Sequence, residues 1–182
     1  MADDVQDPGP VAPDRSDWTW VLDKRCPDCG FDASRVRPQE LPTIVRDARP
    51  RFVAVLGRAD VRDRPSANTW SALEYGGHVR DMSQVMTERL EQILAAGGEL
   101  VQFADWDQNE AASTQQYWRA DPVAVSRQLT ESLDRAADLY AGPTEEQWAW
   151  PARRSDGTRF TAGTLAQYFL HELTHHLWDV RG

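Results

Sequence analysis

Four stretches of the chain repeat apolar residues at helical spacing, and they predict four long helices. The first covers residues 41–58, with Leu41, Val45, Ala48, Phe52, Val55 and Leu56 on one stripe. Pro42 suits its first turn, whereas Pro50 should kink or split it. The second covers 71–96: Ser71 followed by Glu74 reads as a capping box, and Gly97-Gly98 ends the run. Its stripe is Tyr75, His78, Met82, Val85, Met86 and Ile93, so a histidine stands in the middle of a face that should be buried. The third covers 122–140, with Asp121 as N-cap, Pro122 at the first position and Leu129, Leu133, Ala136 and Tyr140 inward. The fourth covers 161–180, with Leu165, Phe169, Leu173, Leu177 and Val180 as its stripe. A shorter helix is expected within 109–118 and a helical turn within 144–148. No stretch alternates convincingly as a strand. The expectation is an all-α four-helix bundle.

Outside the helices the pattern changes. Residues 1–16 carry Asp, Pro and Gly with little to bury and read as a disordered tail. Residues 17–38 hold Trp18, Trp20, Val21 and Leu22 and then the turn CPDCGFD, an irregular arm whose aromatics should pack on the body. The organisation is therefore a tail and arm over 1–38 and one bundle domain over 39–182.

Composition narrows the function classes. A net charge of −9 argues against nucleic acid or an anionic membrane as partner. No apolar run reaches membrane-spanning length, and the acidic, proline-bearing start lacks the apolar core of a signal peptide, so a cytoplasmic setting is expected. Two cysteines, Cys26 and Cys29, are too few for a disulfide scaffold. Their C-x-x-C spacing lacks the second cysteine pair of a zinc ribbon, so two plain thiols in a tight turn are expected there. Eight tryptophans suggest aromatic clefts or seams.

The chemistry concentrates in the four histidines. His171 and His175 are one helical turn apart and share a face, so their imidazoles can share an ion. Adding His78 from another helix makes a three-ligand set with an open position, the catalytic pattern. His176 lies ~100° further round and is expected to be a packing or surface residue. Metal-bound imidazoles pass their other N–H to carboxylates or carbonyls, which nominates Glu74 and Asp81 around His78 and Asp179 after His175. Tyr168, Trp178, Trp106 and Asp107 are nominated for the cleft. The string HELTH also fits a metalloprotease motif, but seven residues after His175 offer no third ligand and no sheet edge is expected to hold a peptide. The last helix has two usable faces, polar around the histidines and apolar opposite, which hints at a homodimer.

Three stretches resemble the DinB-like superfamily, which includes the YfiT-type proteins and the mycothiol- and bacillithiol-dependent transferases: TWSALEYGGHVRDM at 69–82, FADWDQNEAA at 103–112 and SDGTRFTAGTLAQYFLHELTHHLWDV at 155–180. The arm CPDCGFDA is similar to one seen in actinobacterial members. The resemblance implies a bundle, often dimeric, whose metal is held by His78, His171 and His175. Zinc is the first expectation, with nickel, iron or manganese as alternatives. It implies a transferase in which the metal activates a low-molecular-weight thiol, mycothiol-like, for attack on an electrophilic small molecule. A hydrolase that activates water and a non-catalytic metal-binding stress protein stay open beside it. The maleylpyruvate isomerase branch is similar but carries a Glu where this chain has His171, which counts against isomerase.

Overall fold

A computed structural model describes residues 6–13 and 16–182. Five helices carry it: α1 (Leu41–Leu56), α2 (Ala72–Ala95), the short α3 (Gln108–Thr114), α4 (Pro122–Tyr140) and α5 (Ala162–Asp179). The helix starts follow from capping chemistry. Ser71 and Glu74 form the expected capping box on α2, Asp121 accepts from Val123 at the head of α4, and Thr161 and Thr164 cap α5. Pro50 does not split α1. It and Arg46, whose carbonyl loses its helical donor, both lie on the exposed face, where water can take that bond. The expected disordered tail falls partly on residues 1–5, 14 and 15, which lie outside the described residues.

The long helices form a ring in which α4 packs between α1 and α2, and α5 closes the other side against both. Consecutive α1 and α2 are thus nearly diagonal. The stripes meet in one core: Phe52, Leu129, Leu133, Phe169 and Leu173 are each within 1% of full burial. Glycines let the elements approach. A Cβ on Gly77 of α2 would lie 2.8 Å from the Tyr117 ring, and Tyr117 is itself buried with its hydroxyl donating to Asp81. Gly77→Ala should therefore destabilise the fold. The ~1 kcal/mol gained in helix propensity is outweighed by ~1–3 kcal/mol of overpacking, read as a lower urea midpoint at unchanged m-value.

One expectation fails. Three strands do form: β1 (Val101–Phe103), β2 (Pro151–Arg154) and β3 (Arg159–Thr161). β1 pairs parallel with β2, Val101 opposite Ala152, and β2 pairs antiparallel with β3 across a turn in which Gly157 takes φ 97°. Each strand is too short to show alternation, and the β1–β2 pairing joins segments far apart in sequence. The sheet positions the site: β1 runs into the Asp105–Asp107 segment, and β3 runs directly into α5. No helix among the described residues is long and apolar enough to cross a membrane.

Candidate metal centre

His78 sits on the inner face of α2 with no exposed surface. Its ring stacks on Trp106 at 5.5 Å and tilts against Trp70 at 5.4 Å. The β1 exit holds Trp106 there. The third aromatic neighbour is His176, edge-on with ring centroids 4.7 Å apart. Glu172, one helical turn before His176 on α5, completes the cluster: His78, Glu172 and His176 each offer a ligand atom, all within 4.8 Å of one another.

The structure thus divides the expected ligand set. It brings His78 to Glu172 and His176, while His171 and His175 face Cys26 and Cys29, again with one ligand atom each within 4.8 Å. His176, expected to be a packing or surface residue, packs its ring on His78 and offers a ligand atom beside it. The physical reason is helix phase. HELTHH holds two i, i+4 pairs, 171/175 and 172/176, displaced by ~100°, and the rotation of α5 against α2 decides which one meets His78. The second pair was visible in the string as Glu172-x-x-x-His176.

The electrostatics suit a cation. Neither nitrogen of His78 finds a hydrogen-bond partner among the described residues, nor does Nε2 of His176. Buried polar atoms are rarely left so, and an ion bound by one nitrogen of each ring accounts for two of the three. Burial, with the charge of His176, drives the His78 pKa down to about 3, so the ring is neutral and one of its nitrogens stays free to ligate. Burial opposes charge on His176 too, but Asp179 at 2.8 Å from its Nδ1 and Glu172 at 3.6 Å from its Nε2 lift its pKa to about 9. Burial likewise opposes charge on Glu172, yet its histidine neighbours hold the carboxyl well below the usual range.

The nominated supporting residues fare unevenly. Asp179 holds His176 by Nδ1 and stands 3.9 Å from His175 Nε2, so it does orient imidazoles. Glu74 is instead bonded to Arg64 and to the Ser71 amide, and Asp81 is engaged by Arg80 and Tyr117; these serve the fold and not the centre. A cleft of about 820 Å³ opens over the cluster, and Tyr168, Trp106 and Asp107 line it as nominated. Trp178 does not: it lies 52% exposed, against His175 on the outer side. Asp107 also caps α3. Arg89 and Arg154 are among the cleft residues that the sequence reading did not nominate. Arg89 is buried, donates to the Ala104 carbonyl and lies over Phe103, and Arg154 pairs with Asp156.

Comparison with known proteins agrees with this architecture. YfiT from Bacillus subtilis, a solved structure described as a probable metal-dependent hydrolase with an unusual four-helix bundle topology, is 18% identical. It aligns with a TM-score of 0.62 over 95% of this chain and 91% of its own. Among curated protein sequences none matches. The family model described as the DinB superfamily matches residues 43–180, which takes in the candidate centre and the four long helices but for the first two residues of α1, and the chain belongs to that superfamily.

Proposed function

We propose that the protein is a metal-dependent enzyme in which His78, Glu172 and His176 hold one divalent cation beneath the cleft, and that it transfers a small-molecule thiol to an electrophile. The observation that carries this reading is the fully buried His78 ring, with both nitrogens unpartnered among the described residues and an imidazole and a carboxylate beside it. Two nitrogens and one carboxylate oxygen fit zinc, with nickel, iron or manganese as alternatives, and three protein ligands leave room for a substrate atom. Bound there, the cation supplies Lewis acidity that lowers the pKa of a sulfhydryl or of water.

The chain's own groups do the rest. Trp106 and Trp70 fix the His78 ring, and Asp179 fixes His176. Arg89 and Arg154 place positive charge in the cleft, suited to an anionic group on the substrate or cosubstrate. The aromatic walls, Trp18, Tyr75, Trp106 and Tyr168, suit an organic molecule and restrict water around it. The two faces of α5, which suggested a homodimer, are both used within the chain, by the bundle and by the N-terminal arm; a homodimer would use another surface, and sedimentation at varied concentration tests it.

Cobalt-substituted protein with Cys26 and Cys29 changed to serine should develop a thiolate charge-transfer band when a low-molecular-weight thiol is added. Absence of a band with any such thiol would sink the transferase reading. Hydrolysis is the second reading, favoured by the description of YfiT; turnover of esters or amides without thiol would select it. Metal bound without either activity would leave a binding protein.

A further inference from the structure

Cys26 and Cys29 sit in a turn of the N-terminal arm that lies against α5. The Gly30 amide donates to the Cys26 carbonyl at 3.0 Å, the Cys26 amide to the Phe31 carbonyl at 2.8 Å, and Gly30 takes φ 77°, which lets the chain reverse tightly around the two sulfurs. Cys26 is fully buried, and both cysteines are free thiols. Across from them on α5 lie His171, 1% exposed, and half-buried His175. The four ligand atoms lie within 4.8 Å of one another.

We propose that Cys26, Cys29, His171 and His175 form a second, structural zinc site, distinct from the His78 cluster and independent of the catalytic reading. The spacing C-x2-C with H-x3-H is that of closed Cys2His2 sites. The missing cysteine pair is replaced by a helical histidine pair. Geometry agrees: Cys26 Sγ lies 3.6 Å from His175 Nδ1. Tetrahedral zinc, with Zn–S of ~2.3 Å and Zn–N of ~2.0 Å, sets sulfur and nitrogen about 3.6 Å apart. Neither ring nitrogen of buried His171 has a hydrogen-bond partner among the described residues, although Nδ1 stands 3.5 Å from Glu172; a metal would take up one of the two, and a Cys26–Cys29 disulfide neither. His175 turns its other nitrogen to Asp179 at 3.9 Å, the outer carboxylate that metal-bound histidines use.

Binding takes both sulfurs as thiolates and releases their protons to solvent. Four ligands close the site, so it holds structure and offers no open position. It would bolt the arm to α5 alongside the Gln167 bonds to the Ala33 and Val36 carbonyls. It would also set Trp18, which stacks on His171 at 5.8 Å, as a wall of the cleft.

The full-length protein should bind two zinc equivalents, and Cys26→Ser/Cys29→Ser should bind one. Cobalt-loaded wild type and His78→Ala should both show a thiolate charge-transfer band without added thiol, and the cysteine variant none. In zinc-loaded wild type, the two thiols should resist Ellman's reagent until a chelator strips the metal; this arm needs no variant to fold. Equal zinc in wild type and the cysteine variant, thiols that react freely with zinc present, or thiols that stay unreactive after chelation under denaturant, as a disulfide would, each overturns the site. If His78→Ala keeps two equivalents while the cysteine variant loses one, this site stands and the metal reading of the His78 cluster falls.

Discussion

Glu172→Gln is expected to lose one metal equivalent while the bundle stays folded, and His176→Ala is expected to do the same. Glutamine keeps the size of the side chain but removes the only anionic ligand of the His78 cluster, and His78 and His176 alone hold a cation poorly. Had His78, His171 and His175 been the ligands, Glu172→Gln would leave the metal in place, so elemental analysis of this one variant separates the two assignments. Asp179→Asn should weaken metal binding ~10–100-fold without abolishing it, because it loosens His176 but removes no ligand. The pH dependence has a definite sign. His176 carries its proton up to about 9, and a cation must displace it. His78, with its pKa near 3, imposes no such competition. Apparent affinity should therefore rise about tenfold per pH unit through neutrality and level off above about 9, with a proton released on binding. Calorimetry in buffers of different ionisation enthalpy reads that proton; none released, with the cysteine pair replaced by serine, would refute the assignment of His176.

Glu74→Ala is expected to be the most damaging single change to stability, by about 3–5 kcal/mol. Glu74 and Arg64 are 4% and 10% exposed, and the carboxylate accepts both from the guanidinium and from the Ser71 amide at 2.8 Å. Truncation strands the arginine's charge away from water and removes the acceptor of the Ser71 amide, the reciprocal half of the capping box on α2. Arg64 cannot easily turn outward, because it also donates to the Gly9 carbonyl at 2.9 Å. A fall in melting temperature of about 10 °C follows for a domain of this size. Glu74→Gln, whose one amide oxygen can still accept from the Ser71 amide, should cost clearly less; equal losses would mean that the charge contributes everything and the cap nothing. The expected role of this glutamate beside a metal-bound His78 would show instead as lost metal at unchanged stability, which the geometry argues against.

The helical core was legible because it depends on local periodicity. Apolar residues every three to four positions define a face, and caps such as Ser71/Glu74 and Asp121 define the ends. The sheet was not, because Val101 with Ala152 is a pairing between distant segments whose residues are individually unremarkable. The site was half legible. Histidines on two helices pointed to a metal, and His78 stands on a buried apolar stripe as read. The phase of α5 was beyond sequence, because HELTHH presents two ligand pairs and only packing against α2 selects between them. The reading that counted against the isomerase branch assumed that His171 held the ligand position; with Glu172 beside His78, that objection no longer applies. The cysteine turn was legible as two free thiols, but the histidines it meets were not: they are far away in the chain, on α5, and no local spacing connects them.

By itself, then, the order of residues determined the four long helices, their caps and buried faces, and the presence of ligating chemistry in the last helix, since each of these is decided within a few turns of chain. Only the tertiary structure decided which imidazole meets which, because a helix carrying ligands on two adjacent faces can serve two centres, and its rotation is set by the shape of everything packed around it.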